Sequence, residues 1–267
     1  MPVALKSAAE IDRMRAAGAA VAACHDAVRA ILKPGVTTRE LDDAVWRAMR
    51  QRGGSPLFLS FPNADGDGPP FPAVTCISVQ DEVVHGIPSD RPLKAGELVS
   101  VDVGVRLNGW CGDSGWTYAV GEPSPEHARL MDCGRESLAF ALRELPRRKR
   151  WSEIAGPLAE IAAAAGFGVV KEFSGHGLGR TMHEEPEVPN YADDLRSNWD
   201  FDLVPGLTLA IEPMLTAGSP EVSVSDDDWW TVTTDDGSAA VHFEHTVALT
   251  ERGVEILTAG VGESLPL

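Results

Sequence analysis

Four carboxylates and one imidazole stand out by type and surroundings: Asp102, Asp113, Glu212, Glu244 and His176. In SVDVGVRLNGWCGD, Val99, Val101, Val103 and Val105 alternate with Ser100, Asp102 and Gly104, the period-2 signature of a strand with one buried face. LTLAIEPM and VHFEHTVAL repeat the pattern. Leu207, Leu209 and Ile211 oppose Thr208, Ala210 and Glu212, while Val241, Phe243, Val247 and Leu249 oppose His242, Glu244, Thr246 and Ala248. Solvated strand faces carry Lys, Glu, Thr and Arg, and glycine is costly inside a strand, so acids among small residues are not a simple water-facing pattern. Buried carboxylates without a basic partner repel each other and resist ionising, which calls for a cation among them. Four carboxylates offset two divalent cations. Oxygen ligands with a single imidazole suit Mn²⁺, Fe²⁺ or Co²⁺, with Zn²⁺ compatible, whereas Mg²⁺ prefers fewer protein ligands and more water. Two such ions roughly 3.5–4 Å apart share a water, lower its pKa and clamp a tetrahedral intermediate. That is hydrolytic chemistry. His176 lies in SGHGLGR, which has neither the Lys of a P-loop nor the GxGxxG spacing of a dinucleotide site.

The elements that must position these groups are legible around them. Asn108-Gly109 is the favoured pair for a two-residue hairpin turn, because both positions tolerate positive φ. That turn pairs Gly104 with Asp113 and Asp102 with Gly115. The two aspartates then project from one face as diagonal neighbours with Cα atoms roughly 7–8 Å apart. The same face carries Ser100, Cys111 and Thr117 as an open floor, and the valines and Trp116 form the other. Helices are expected over residues 7–29, 38–52, 124–144 and 151–165, the second opened by the capping box of TTRE. Residues 53–72, rich in Pro, Gly and Asp, read as an exposed loop. Strands are expected around 73–84 and, in short pieces, through 169–257. Helices followed by strands, twice over, predict an α+β architecture around an antiparallel sheet. No linker divides the chain, so residues 1–267 are expected to form a single catalytic domain.

Composition narrows the function classes. A formal charge of −17 over 267 residues weighs against general nucleic-acid or acidic-membrane binding. The basic run PRRKR, residues 146–150, reads as a solvated helix end. Cys24, Cys76, Cys111 and Cys133 form no CxxC pair. No run approaches a membrane span, and the first residues lack a signal-peptide layout. A cytoplasmic location is the expectation.

Taken in order and with their flanks, these residues resemble the metal ligands of type I methionine aminopeptidases. The flanks are VHGIP at His85, VDVGV at Asp102, CGDS at Asp113, GHGLGRTMHEEP around His176 and His183, IEPM at Glu212 and FEHT at Glu244. The match runs from about residue 7 to 257. It implies the pita-bread fold, two pseudo-symmetric halves with two divalent cations between them (Co, Mn, Fe or Zn). By this resemblance Asp102 binds one ion, Asp113 and Glu244 serve both, and His176 and Glu212 complete the other. Glu212 also exchanges protons with the attacking water, and His85 and His183 contact substrate. Cys76, Phe71 and Trp230 line the methionine pocket, and Met182 stands where the family often carries Phe. The implied reaction removes the N-terminal methionine from nascent polypeptides, met at the ribosome, when the next residue is small. Met1-Pro2 fits that rule, so self-processing is a further expectation. The resemblance implies a monomer, and the acidic charge with the lack of a long apolar run leads to the expectation of neither nucleic-acid nor membrane binding. Residues 60–72 are longer and differently composed than the usual loop. The rival readings are a proline-directed peptidase of the same fold and a non-catalytic binding module.

Overall fold

The computed structural model describes residues 3–63, 66, 68–192, 200–262 and 265, so Met1 and Pro2 lie outside the described residues. Helices α1 (Ala8–Ile31) and α2 (Thr38–Gln51) fall on the first two helical stretches. Glu40 N donates to Thr37 Oγ1 at 3.2 Å and Thr37 N donates to Glu40 Oε2 at 2.8 Å, the reciprocal cap that TTRE encodes. The chain continues through β1 (Ser55–Pro56), β2 (Cys76–Val79), β3 (Glu82–Val84), β4 (Leu98–Leu107) and β5 (Trp110–Ala119). Asn108 and Gly109 turn the β4–β5 hairpin at φ 51° and 80°. The register is the expected one, Gly104 opposite Asp113 and Asp102 opposite Gly115. The valines of β4 and Trp116 enter a core shared with Val21 of α1, Leu41 of α2 and buried residues of the second half.

The other face of the hairpin differs from the expected open floor. A Cβ on Gly104 would lie 2.9 Å from the Phe58 ring, and one on Gly115 would lie 2.6 Å from the His242 imidazole. The two glycines admit a ring each. Phe58 comes from the stretch expected to be an exposed loop. Phe58 and Phe71 are buried in a second apolar cluster with Cys76, Cys111 and Met182, because aromatic anchors outweigh the Pro/Gly-rich backbone between them. Residues 64, 65 and 67 of this loop lie outside the described residues.

The second half also opens with a helix pair, α3 (Pro125–Glu144), capped by Ser124 Oγ on His127 N, and α4 (Ser152–Ala165). Strands β6 (Gly168–Val169), β7 (Gly175–Gly177), β8 (Glu184–Val188), β9 (Thr208–Ile211), β10 (Met214–Thr216), β11 (Val222–Val224), β12 (Val232–Thr234), β13 (Ala240–His242), β14 (His245–Thr250) and β15 (Gly253–Ile256) follow. Among the described residues all ladders are antiparallel and fall in four sheets. Strand β4 joins β5, β1 and β2; the others run β13-β10-β6, β11-β12-β3 and β15-β14-β9-β7-β8. LTLAIEPM and VHFEHTVAL are each broken rather than continuous. Strands β9 and β14 belong to the five-stranded sheet, β10 and β13 to a neighbouring one. Glu212 and Glu244 sit at these breaks, where the chain leaves one sheet for the next. At the second break Phe243 N donates to Pro213 O at 3.2 Å and Glu244 N donates to Gly115 O at 2.7 Å, so the backbone bonds move to new partners while the side-chain alternation persists.

Candidate metal centre

Strands from both halves carry the five expected ligands to one place. Asp102 lies mid-β4, Asp113 on β5, His176 at the centre of β7, Glu212 directly after β9 and Glu244 between β13 and β14. One ligand atom each from Asp113, His176 and Glu244 lie within 4.8 Å of one another. Glu212 Oε1 is 3.7 Å from His176 Nε2, and its Oε2 is 3.3 Å from His242 Nε2. The hydroxyls flanking the acids lace the halves together. Asp113 N donates to Thr246 Oγ1 at 2.9 Å and Thr246 Oγ1 donates to Asp113 O at 2.7 Å. Ser114 Oγ donates to Glu244 O, and Thr117 Oγ1 donates to His242 O. Small polar residues beside the acids are therefore rigging, which is why the strand face looked neither solvated nor greasy.

Electrostatics make the cluster costly as it stands. Burial and the neighbouring carboxylates hold Asp113 and Glu244 well above the usual carboxylate range. Burial raises Asp102 to about 6. Among the described residues no Lys or Arg forms an ion pair with any of the four acids, and their ion-pair contacts are to His176 and His242 alone. Asp102 Oδ1, Asp113 Oδ1 and Glu244 Oε1 are buried without a hydrogen-bond partner. Orphaned anionic oxygens of this kind are what a cation satisfies. His176 is already oriented as a ligand: Nδ1–H donates to Gly177 O at 2.9 Å, which leaves a lone pair on Nε2, the atom facing the carboxylates. The residues fit a divalent-metal site by donor type, burial and tautomer.

A cavity of about 340 Å³ opens over the cluster and is lined by every expected site residue: Asp102, Asp113, His176, Glu212, Glu244, His85, His183, Cys76, Phe71 and Trp230. That volume suits a small-ligand site. Phe71 and Trp230 meet edge to face at 5.2 Å, and Trp230 Nε1 donates to Pro69 O at 2.9 Å, so the 60–72 loop holds this wall in place. His85 adopts a left-handed φ of 60° and packs its ring against Phe173 at 5.4 Å. A non-glycine residue there is held by its surroundings, as at many functional sites. Burial lowers its pKa to about 4, so it is a neutral donor near pH 7. His183 at the rim sits 4.4 Å from the His176 ring, at 87°, and 5.5 Å from Phe61. Desolvation of its inner edge, and then His176, lower its pKa too. Sequence reasoning missed Phe58, Phe61, Phe173, Met214 and His242, which also line the cavity. The aromatic residues carry no periodic signal, but His242 shares the alternation that exposed Glu244.

This geometry has counterparts. Residues 12–251 match the model of metallopeptidase family M24. The chain belongs to this family. Within it, the chain is 41% identical over 253 residues to methionine aminopeptidase 1 of Bacillus subtilis, covering 95% of this chain and 98% of that protein. The solved methionine aminopeptidase of Rickettsia prowazekii superposes with a TM-score of 0.88 at 33% identity, over 96% of this chain and 100% of the other. A prolidase of Pyrococcus furiosus shares the fold, with a TM-score of 0.73 at 22% identity over 97% of this chain and 66% of its own. This M24 chain therefore has the pita-bread fold and is a metal-dependent hydrolase of the methionine aminopeptidase group.

Proposed function

We propose that this M24 chain removes the N-terminal methionine from polypeptides whose second residue is small, using two divalent cations. The observation that carries the reading is the convergence of five ligand-type side chains at the floor of one cavity, three of them presenting buried unpartnered oxygens. Asp102 would hold one cation, His176 and Glu212 would hold the other, and Asp113 and Glu244 would serve both. When bound, such cations lower the pKa of water and polarise a carbonyl. Glu212, at 13% side-chain exposure the most accessible of Glu212, Glu244 and Asp113, is placed to take a proton from water and return it to the departing amine. Neutral His85 and His183 donate hydrogen bonds to the scissile carbonyl as it gains charge. Phe71, Trp230 and Cys76 form the wall against which the methionine side chain packs, since thioethers pair well with aromatic edges.

The whole of residues 1–267 acts in this reading as one monomeric catalytic domain on nascent chains at the ribosome. A cytoplasmic setting is supported by four free, buried cysteines. Among the described residues no helix is long and apolar enough to cross a membrane. The shared fold with a prolidase keeps one rival in view, and a peptide panel separates the two. Metal-loaded protein is expected to release methionine from Met-Ala-Ser and to leave Ala-Pro intact. Faster hydrolysis of Ala-Pro would assign the chain to the proline-directed peptidases instead.

A further inference from the structure

The two oxygens of Glu212 face different imidazoles, and only one of those belongs to the ligand set above. Oε1 faces His176; Oε2 faces Nε2 of His242 at 3.3 Å. His242 is 2% exposed, and its Nε2 is buried without a hydrogen-bond partner, 3.9 Å from Glu244 Oε2 as well. Its backbone is clamped on both sides by one hydroxyl: His242 N donates to Thr117 Oγ1, and Thr117 Oγ1 donates to His242 O, each at 2.9 Å. Its ring lies on Gly115, where a Cβ would come within 2.7 Å of Nδ1 and 3.2 Å of Nε2. Backbone clamp, glycine seat and burial together fix where Nε2 points.

We infer that His242 is a positioning residue for Glu212. Its Nε2–H donates to Glu212 Oε2 and fixes the carboxylate plane, leaving Oε1 on the side of the cluster. Ligation is the weaker assignment for Nε2. The compact triple of Asp113, His176 and Glu244 closes without it, and both of its close contacts are to carboxylate oxygens, the acceptors an N–H seeks. The 3.3 Å separation is long for a hydrogen bond, as such contacts often are before substrate and metal draw the site together. Outer partners of this type typically contribute 10- to 100-fold to activity or metal affinity. The inference deepens the proposed function and rests on the role given there to Glu212.

The test compares His242→Leu, His242→Asn and His242→Gln in the full chain. Gln carries an N–H donor to nearly the reach of Nε2, Asn stops short, and Leu fills the seat without a donor. With Mn²⁺ saturating and Met-Ala-Ser as substrate, kcat should fall roughly 10- to 100-fold in the Leu and Asn variants with KM within about threefold. Gln should bring kcat back to within about tenfold of wild type. Independently of turnover, ¹⁵N-histidine NMR of the metal-free protein should show a slowly exchanging, downfield Nε2–H from His242 that moves on Glu212→Gln substitution. Equal kcat losses in the Gln and Leu variants, unchanged kcat in the Leu variant, or an Nδ1–H tautomer at His242 would each overturn the inference. If the Leu variant fails to fold, the Asn-against-Gln comparison and the NMR signal decide. A wild type that releases no methionine would refute the proposed function instead, while the NMR signal still reads the contact to Glu212.

Discussion

Neutralising Asp113 should stabilise the metal-free protein while abolishing its response to metal. The Asp113 carboxylate is buried, pushed up by burial and then by Asp102 and Glu212, and has an oxygen without a hydrogen-bond partner. Ligand atoms of Asp113 and Glu244 lie within 4.8 Å, where two unit charges repel by about 3 kcal/mol at an effective dielectric of ~20. Proton uptake relieves part of this, so Asp113→Asn should gain about 2 kcal/mol, or roughly 4–8 °C in Tm for a chain of this size. Its amide can also donate to Asp102. The gain has a definite pH window. A carboxylate whose folded pKa lies above its unfolded value contributes stability below the unfolded pKa and loses it as pH rises through the folded one. The two proteins should therefore melt together near or below pH 4, the unfolded carboxylate range, and separate progressively as the pH rises. Adding Mn²⁺ at ~100 times its Kd should stabilise the wild type by about 2.7 kcal/mol and reverse the order, because the variant gains little. Scanning calorimetry of chelator-treated protein at pH 4 and pH 7.5, with and without Mn²⁺, reads all four states. A metal-free variant melting at or below wild type at pH 7.5 would show that protein groups already satisfy the Asp113 charge, and the case for a cation there would fail.

Three other perturbations have defined outcomes. Lys6 Nζ pairs with Glu184 Oε2 at 2.6 Å, and Glu184 Oε1 accepts from Arg180 N at 2.9 Å and Thr181 N at 3.1 Å, so the N-terminal segment braces the loop that carries Met182 and His183. Lys6→Met should lower stability by about 1–3 kcal/mol and kcat/KM several-fold, measured by urea titration and peptide turnover; wild-type turnover would mean the loop holds itself. Gly115→Ala places a methyl 2.6 Å from the His242 ring and should cost about 1–3 kcal/mol by overpacking and at least tenfold in kcat, read from the same assays. Metal binding must displace protons from Asp102, Asp113 and Glu244, whose pKa values are raised by burial. Calorimetric titration with Mn²⁺ at pH 6.5 in buffers of different ionisation enthalpy should report net proton release that shrinks as pH rises.

The hairpin shows how much was legible and why. Asn108-Gly109 fixed the turn, the turn fixed the register, and the register placed Asp102 and Asp113 on one face as built. Local rules sufficed because every residue between the two acids is within one supersecondary unit. The breaks at Glu212-Pro213 and Phe243-Glu244 were invisible for the opposite reason. Alternation continues through them, and only the backbone partners change, from one sheet to another. What fills Gly104 and Gly115 was also out of reach, since Phe58 and His242 arrive from 46 residues before and 127 residues after those glycines. The stretch 53–72 misled because composition describes its backbone, whereas its fate is set by the two aromatic anchors Phe58 and Phe71.

The central claim is that this carboxylate and histidine cluster holds divalent cations that make methionine release possible. Its most direct test is methionine release from Met-Ala-Ser by metal-stripped protein titrated separately with Mn²⁺, Fe²⁺ and Co²⁺, alongside Asp113→Ala and Glu244→Ala controls. Release that is absent without metal, appears on titration and vanishes in both variants is the predicted result. Release that persists in thoroughly stripped protein, or that survives loss of Asp113 or Glu244, would contradict it.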